Sequence, residues 1–165
     1  FSSGSLGNGL GIASGMAHGL KIKGLQNRLF VLMSDGECNE GSVWEAAMFS
    51  AAKKLENLVA IIDNNGIQAV GSTTDTMGNT SLTNKFKAFG WNVYNVDGNN
   101  IDEVINVLNK LDYETGKPNA IIAKTKSGAG ISFMENKLEW YYKIPTKIEY
   151  EMSLKELEIS PLTDN

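Results

Sequence analysis

Residues 34–41 form the stretch whose residue types are best suited to chemistry, reading Ser-Asp-Gly-Glu-Cys-Asn-Glu-Gly. Asp35 offers a hard oxygen ligand for a divalent cation. Gly36 lets the backbone approach a ligand without a Cβ in the way. The free N–H groups at the start of a following helix attract anions. The stretch is therefore suited to binding a metal and a phosphate group, although Asp-Gly after a strand is also a common turn.

A second polar turn, Asp-Asn-Asn-Gly-Ile at 63–67, places Asn65 thirty positions after Asp35. Each turn follows a continuous apolar run, which is typical of a strand buried on both faces. Parallel strands end at one edge of a sheet, where open α/β sheets bind ligands, so we expect Asp35 and Asn65 to lie close together. Magnesium binds through one or two carboxylates plus substrate phosphates, which fits a site with a single Asp. A backbone carbonyl and water would complete the shell.

Strands and helices alternate along the chain and must position these turns. We predict helices over 6–23, 43–54, 82–89, 101–111 and 147–157, and strands over 28–34, 58–62, 92–96 and 120–124. This order predicts an α/β fold, a doubly wound and mostly parallel sheet with helices on both faces. Ser42, followed by Glu45, predicts a capping box for the second helix. Residues 68–80 are predicted to be a long polar loop, a kind of loop that is often functional.

The first helix carries Gly11, Gly15 and Gly19 at four-residue spacing. Glycine inside a helix costs roughly 0.5–1 kcal/mol relative to alanine, so this stripe needs a reason. We favour close packing on a sheet or another helix. The alternative is a subunit interface where two helices nearly touch.

Composition excludes several classes of function. The chain has 165 residues and a net charge of −4 with no basic block, so we expect no nucleic-acid partner. Its apolar runs are only strand-length, so we expect no membrane segment. The single cysteine, Cys38, suits a reducing cytoplasm, and the single histidine, His18, argues against a multi-histidine site. Because the chain begins with Phe1 rather than Met, we interpret it as a fragment.

Six segments carry a family resemblance, in order along the chain: 4–9, 35–47, 88–91, 96–98, 123–125 and 132–136. Through these segments the chain resembles transketolase, in particular the N-terminal subunit of split transketolases. The Gly-Asp-Gly and Asn pattern of thiamine-diphosphate enzymes is kept, with Ser34 in place of the first glycine. The resemblance implies an incomplete thiamine-diphosphate-binding domain over residues 1–145 and a C-terminal helix and tail over 146–165.

The resemblance also implies the residues of the site. Asp35, Asn65 and the backbone carbonyl of Ile67 would hold Mg²⁺ or Ca²⁺. Glu40 would join a proton relay between the two active sites of a dimer; its alternative role is to complement the helix dipole. The residues expected along thiamine diphosphate are Gly36 and Glu37 at the diphosphate, and Gly4 and Leu6 at the aminopyrimidine.

Two positions depart from the family pattern. Ser127 stands where family members usually have a lysine near the cofactor, although Lys126 is adjacent. Tyr141 stands where they usually have a histidine that reaches the diphosphate or substrate. A tyrosine can donate a hydrogen bond but carries no positive charge near neutral pH. Both changes remove a potential cation from an anionic pocket, so we expect an altered substrate preference or weakened turnover.

The reaction implied by the resemblance is the transfer of a two-carbon ketol unit between sugar phosphates. The sequence lacks the family's pyrimidine-binding domain, so we expect a C-terminal subunit or domain as partner, a homodimer or heterotetramer as the assembly, and no catalysis by this chain alone. Two alternatives stay open. One is another thiamine-diphosphate enzyme, a decarboxylase or a 2-oxo-acid dehydrogenase. The other is a catalytically degenerate assembly or regulatory subunit.

Overall fold

The computed structural model describes residues 3–78 and 80–159. Two 3-10 turns lie at Glu37–Asn39 and Leu138–Tyr141. The helices are α1 (Asn8–Ile22), α2 (Gly41–Ala52), α3 (Thr73–Met77), α4 (Leu82–Ala88), α5 (Ile101–Asn109) and α6 (Lys147–Ile159). The strands are β1 (Leu29–Ser34), β2 (Leu58–Asn64), β3 (Ile67–Gln68), β4 (Gly71–Ser72), β5 (Asn92–Asp97) and β6 (Asn119–Lys124).

Four strands form one parallel sheet in the order β1-β2-β6-β5. The predicted α/β class is therefore confirmed. The two central strands, β2 and β6, are the aliphatic runs, and Val59 and Ile121 on them are almost completely buried. Ser34 at the end of β1 lies beside Asp63 of β2, so these two strands end together. A short antiparallel hairpin, β3–β4, follows directly.

Helices cover both faces of the sheet, as predicted. On one face, residues of α1, α2 and α4 pack on β2 side chains such as Ile62, and Phe86 is completely buried there. On the other face, Val59 and its neighbours pack against α5. Burying a side chain of this size contributes roughly 1.5–3 kcal/mol, so the two cores hold the strand ends in place. The prediction that β1 is buried on both faces is wrong for the described sheet: β1 is its edge strand, and Phe30 and Leu32 are exposed there.

The glycine stripe of α1 does not make the close contact that we favoured. Helix α1 packs on α2 through small buried residues instead, and the hydroxyls of Ser14 and Ser50 lie 2.7 Å apart there. Gly11 and Gly15 face away from this contact, and a Cβ added at Gly11, Gly15 or Gly19 would meet nothing within 4 Å. Within the described chain, the favoured interpretation is wrong.

Two local predictions also need correction. Helix α2 begins at Gly41 after Glu40, which makes no side-chain cap. The Ser42 hydroxyl donates instead to the carbonyl of Gly7, so the capping box is wrong. Residues 68–80 are not a plain loop, since they carry most of the β3–β4 hairpin and all of α3.

Helix α6 docks on the preceding loop, where Glu156 accepts hydrogen bonds from the backbone and hydroxyl of Ser132. No helix in the ranges 3–78 and 80–159 is both long and apolar enough to cross a membrane.

Candidate functional site

Asp35 is a buried carboxylate at the carboxyl end of β1, with only 1% of its surface exposed. Its backbone N–H donates to the carbonyl of Asp63 at 3.0 Å, which extends the β1–β2 pairing by one residue. One oxygen, Oδ1, accepts from the N–H of Gly36 at 2.8 Å. The other, Oδ2, accepts from the N–H of Gly66 at 2.8 Å and from the hydroxyl of Thr73 at 3.1 Å. The carboxylate therefore joins the first turn to the second.

The second turn holds the side chain of Asn65 in a defined orientation. Its Nδ2 donates to Asp63 Oδ2 at 3.3 Å, and its Oδ1 accepts from the N–H of Ile67 at 2.8 Å. Gly66 has φ 76°, a left-handed conformation that glycine adopts without strain. As Gly66 is bonded to Asp35, the structure brings together the predicted metal ligands Asp35, Asn65 and Ile67 at one edge of the sheet.

The glycine-rich N-terminal loop is fixed against the first turn. The N–H of Gly7 donates to Glu37 Oε1 at 3.1 Å, and the carbonyl of Gly7 accepts from Ser42 at 2.9 Å. Gly7 has φ 79°, and a Cβ there would lie 2.5 Å from the Ser42 hydroxyl. Only glycine fits this contact. Gly4 and Leu6, the residues predicted to approach the aminopyrimidine, are exposed just before Gly7 in the chain.

Gly36 and Glu37, predicted to lie along the diphosphate, complete the first turn. The N–H of Glu37 donates to the hydroxyl of Ser34 at 3.0 Å, so the serine that replaces the family's glycine takes part in the turn. A Cβ at Gly36 would lie 3.1 Å from Gln68. The Nε2 of Gln68 is a buried donor with no hydrogen-bond partner among the described residues. An acceptor such as a phosphate oxygen would satisfy it.

The electrostatics at Asp35 fit a divalent cation. None of the ion pairs formed within the described ranges involves Asp35. A buried carboxylate with no counter-charge is costly, and a bound cation would remove that cost. The described residues hold no group of three or more His, Cys, Asp or Glu side chains able to bind a metal. A metal here would need amide, carbonyl or phosphate oxygens besides Asp35. Asn65 has an amide oxygen and Ile67 a backbone carbonyl, and a phosphate oxygen would have to come from a ligand.

The thiol of Cys38 is buried near the carboxylates of Asp35 and Glu37. Burial, together with the negative charges of Glu37 and Asp35, raises the pKa of its thiol from 9.0 to about 12. The thiol therefore stays neutral near pH 7.

Three predicted residues lie around this cluster without a described contact to Asp35. Glu40 is exposed at the start of α2. Ser127 follows β6, and its carbonyl accepts from the N–H of Asn136. Tyr141 is half exposed at the end of the 3-10 turn that approaches β3, and its ring packs edge-on against Tyr142.

Three residues of the site were missed by the sequence reasoning. Thr73 bonds to Asp35, and Asp63 orients Asn65. Thr125, at the end of β6, donates its hydroxyl to Asp63. Asp63 could have been found, since it directly precedes the Asn-Asn-Gly turn. Thr73 and Thr125 carry no local signal, because each reaches the site only through the tertiary fold.

A sequence model of the family described as "Transketolase, thiamine diphosphate binding domain" matches residues 1–141. The chain belongs to this family. It is similar to the apulose-4-phosphate transketolase subunits A of Actinobacillus succinogenes, at 43% identity over 157 residues, and of Phocaeicola vulgatus, at 39% over 156. These matches cover 95% and 94% of the chain and 56% of each relative. A 6-deoxy-6-sulfo-D-fructose transketolase subunit of a Clostridium species is 37% identical over 95% of the chain and 57% of its own length.

Among solved structures, the transketolase of Campylobacter jejuni matches with a TM-score of 0.72 and 20% identity, over 94% of this chain and 29% of that one. The transketolase of Leishmania mexicana matches with a TM-score of 0.65 and 20% identity, over 94% and 28%. At this identity the likeness shows the transketolase fold alone. The chain spans little more than half the length of the curated relatives and under a third of these structures.

Proposed function

We propose that this chain holds thiamine diphosphate and Mg²⁺ in an enzyme that transfers a two-carbon ketol unit between sugar phosphates. The observation that carries this proposal is the bond between Asp35 Oδ2 and the N–H of Gly66. It joins a buried carboxylate, which has no ion-pair partner among the described residues, to the turn of Asn65. Family membership supports thiamine diphosphate as the ligand of this edge.

Each residue has a proposed part. The carboxylate of Asp35, the amide of Asn65 and the carbonyl of Ile67 bind Mg²⁺, which neutralises the cofactor's diphosphate. The backbone at Gly36 and Glu37 lies along that diphosphate, while Gly4 and Leu6 lie against the aminopyrimidine. When bound, the cofactor supplies the carbon–carbon bond chemistry, and the protein supplies position and electrostatics.

A second polypeptide segment is proposed to complete the site. The relatives are named as subunits, two of them as subunits A of apulose-4-phosphate transketolases. By analogy we propose a pyrimidine-binding partner subunit or domain, sugar phosphates as substrates, and a homodimer or heterotetramer as the assembly. The buried, neutral Cys38 is compatible with a cytoplasmic location.

Three further residues are proposed around the reaction. Glu40 is exposed beside the N-terminal loop, so it is available for a proton relay to a second copy. Ser127 and Tyr141 leave the pocket with less positive charge than family members carry there. We propose that these two residues set the substrate preference.

Ketol transfer by the chain, assembled with the subunit or domain that completes its site, tests the proposal. Phosphorylated ketose donors and aldose acceptors should support transfer, and Asp35→Asn should abolish it. Asp97→Asn is the matched control, because Asp97 is an exposed carboxylate at the same edge of the sheet. Turnover of 2-oxo acids instead would favour the alternative enzyme class. Absence of both activities would favour a degenerate assembly subunit.

A further inference from the structure

We propose that Thr73 is a positioning residue for the metal site, and that its hydroxyl leaves Oδ1 as the only oxygen of Asp35 with room for a cation. This inference rests on the function proposed above. Thr73 is the first residue of α3, is partly buried, and lies 38 positions from Asp35 in the sequence. Its contact with Asp35 therefore depends on the β3–β4 hairpin, which returns the chain to the sheet edge.

The hydrogen bonds of Asp35 account for three of its four lone-pair positions. An ionised carboxylate only accepts, with about two positions on each oxygen. Oδ2 accepts from Gly66 at 2.8 Å and from Thr73 at 3.1 Å, so both of its positions are used. Among the residues that the structure describes, Oδ1 accepts a hydrogen bond only from Gly36, at 2.8 Å. One position remains, and it is on Oδ1.

Thr73 also holds the turn that carries the second ligand. Its backbone N–H donates to the carbonyl of Gly66 at 2.9 Å, while the N–H of Gly66 donates to Asp35. Thr73, Gly66 and Asp35 therefore form a closed set of three hydrogen bonds. This set fixes the plane of the carboxylate relative to the turn of Asn65.

Without the hydroxyl, the carboxylate loses one of its fixed contacts. The terminal torsion of Asp is broad, so the group can then turn and move Oδ1. Magnesium demands nearly ideal octahedral geometry at short distances, which makes its affinity sensitive to such a movement. Removing a partner that orients a metal ligand typically lowers metal affinity by about 10–100-fold.

The test uses Thr73→Val, which keeps the shape and removes the hydroxyl, and Thr73→Ser, which restores it. Thr76→Val is the matched control, because the Thr76 hydroxyl donates to the carbonyl of Ser72 on the same short helix without reaching Asp35. Thiamine diphosphate binding to the assembled protein is followed by calorimetry as Mg²⁺ is titrated. Melting without Mg²⁺ and the rate at saturating Mg²⁺ are measured alongside.

Thr73→Val should raise the Mg²⁺ concentration at half-saturation by about 10–100-fold. Its rate should fall more at limiting Mg²⁺ than at saturating Mg²⁺. Thr73→Ser and Thr76→Val should leave the Mg²⁺ dependence unchanged. An unchanged dependence in Thr73→Val, or an equal shift in Thr76→Val, would overturn the role of Thr73 alone. Binding that needs no Mg²⁺ in the unaltered protein would overturn the proposed function itself.

Discussion

Glu37 and Gly7 are joined by a hydrogen bond of 3.1 Å across thirty positions of the sequence. The bond attaches the N-terminal loop, where the aminopyrimidine of the cofactor is proposed to bind, to the turn proposed for its diphosphate. The hydroxyl of Ser42, in turn, donates a hydrogen bond to the carbonyl of Gly7. The two ends of the proposed cofactor site are therefore positioned by one contact region.

Replacing Glu37 should loosen this attachment. Glu37→Ala removes a largely buried charged acceptor, and hydrogen bonds to charged groups contribute about 1.5–3 kcal/mol to the free energy of unfolding. We expect faster hydrogen exchange at the amide of Gly7 and weaker thiamine diphosphate binding. Glu37→Gln keeps an acceptor and should have a smaller effect. Glu45→Ala, an exposed change on α2, is the control. If the amide of Gly7 exchanged as slowly in Glu37→Ala as in Glu45→Ala, the Glu37–Gly7 bond would not be holding the loop.

Gly15 should tolerate a side chain, and Gly7 should not. A Cβ at Gly15 meets nothing within 4 Å, so Gly15→Ala should raise the free energy of unfolding by about 0.5–1 kcal/mol through helix propensity. Gly7 has φ 79°, and its added Cβ would collide with Ser42. Gly7→Ala should cost about 1–3 kcal/mol. Urea unfolding measures both. A destabilised Gly15→Ala would mean that the glycine stripe packs closely after all.

The thiol of Cys38 should be protected in the folded protein. Its pKa is raised from 9.0 to about 12, chiefly by burial. Because the pKa is raised, the buried neutral thiol contributes its full stabilisation below pH 9. That stabilisation is lost as the pH rises from 9 towards 12. Iodoacetamide at pH 8 should therefore label Cys38 slowly in the native protein and quickly in urea. The stability difference between the protein and Cys38→Ser should narrow above pH 9. Equal labelling rates in the two states would contradict the burial.

Tyr141→His tests whether the missing cation sets the substrate preference. The substitution adds a group that can be protonated near neutral pH, so the KM for phosphorylated sugars should fall. Because Tyr141 is 50% exposed, the fold should tolerate the change. Tyr142→His is the control, since Tyr142 is adjacent and 76% exposed. Unchanged kinetics in Tyr141→His, or the same change in both variants, would remove the idea.

The parallel sheet, the helices other than α3 and the meeting of the two turns could be predicted from the sequence, because they follow from local patterns, whereas β3, β4 and α3 were not predicted. Continuous apolar runs gave β1 and β2, and parallel pairing requires Asp35 and Asn65 to lie at one edge. The patterns alone pointed to Asp35 and Asn65 as metal ligands, whereas the carbonyl of Ile67 was expected only from the family resemblance.

What could not be predicted depends on contacts between distant segments. Ser42 has the local signature of a cap, but its hydroxyl donates a hydrogen bond to the carbonyl of Gly7 instead. The glycines of α1 suggested close packing. In the structure α1 packs on α2 through alanines and serines instead. Thr73 is an ordinary loop residue until the β3–β4 hairpin brings it to Asp35.

Calorimetry of thiamine diphosphate binding to the assembled protein, with and without Mg²⁺, tests the central claim most directly. We predict binding that requires Mg²⁺, is lost in Asp35→Asn, and is unchanged in the control Asp97→Asn. Binding of equal affinity without Mg²⁺, or full binding in Asp35→Asn, would contradict the claim that the buried carboxylate of Asp35 holds the metal and the cofactor's diphosphate.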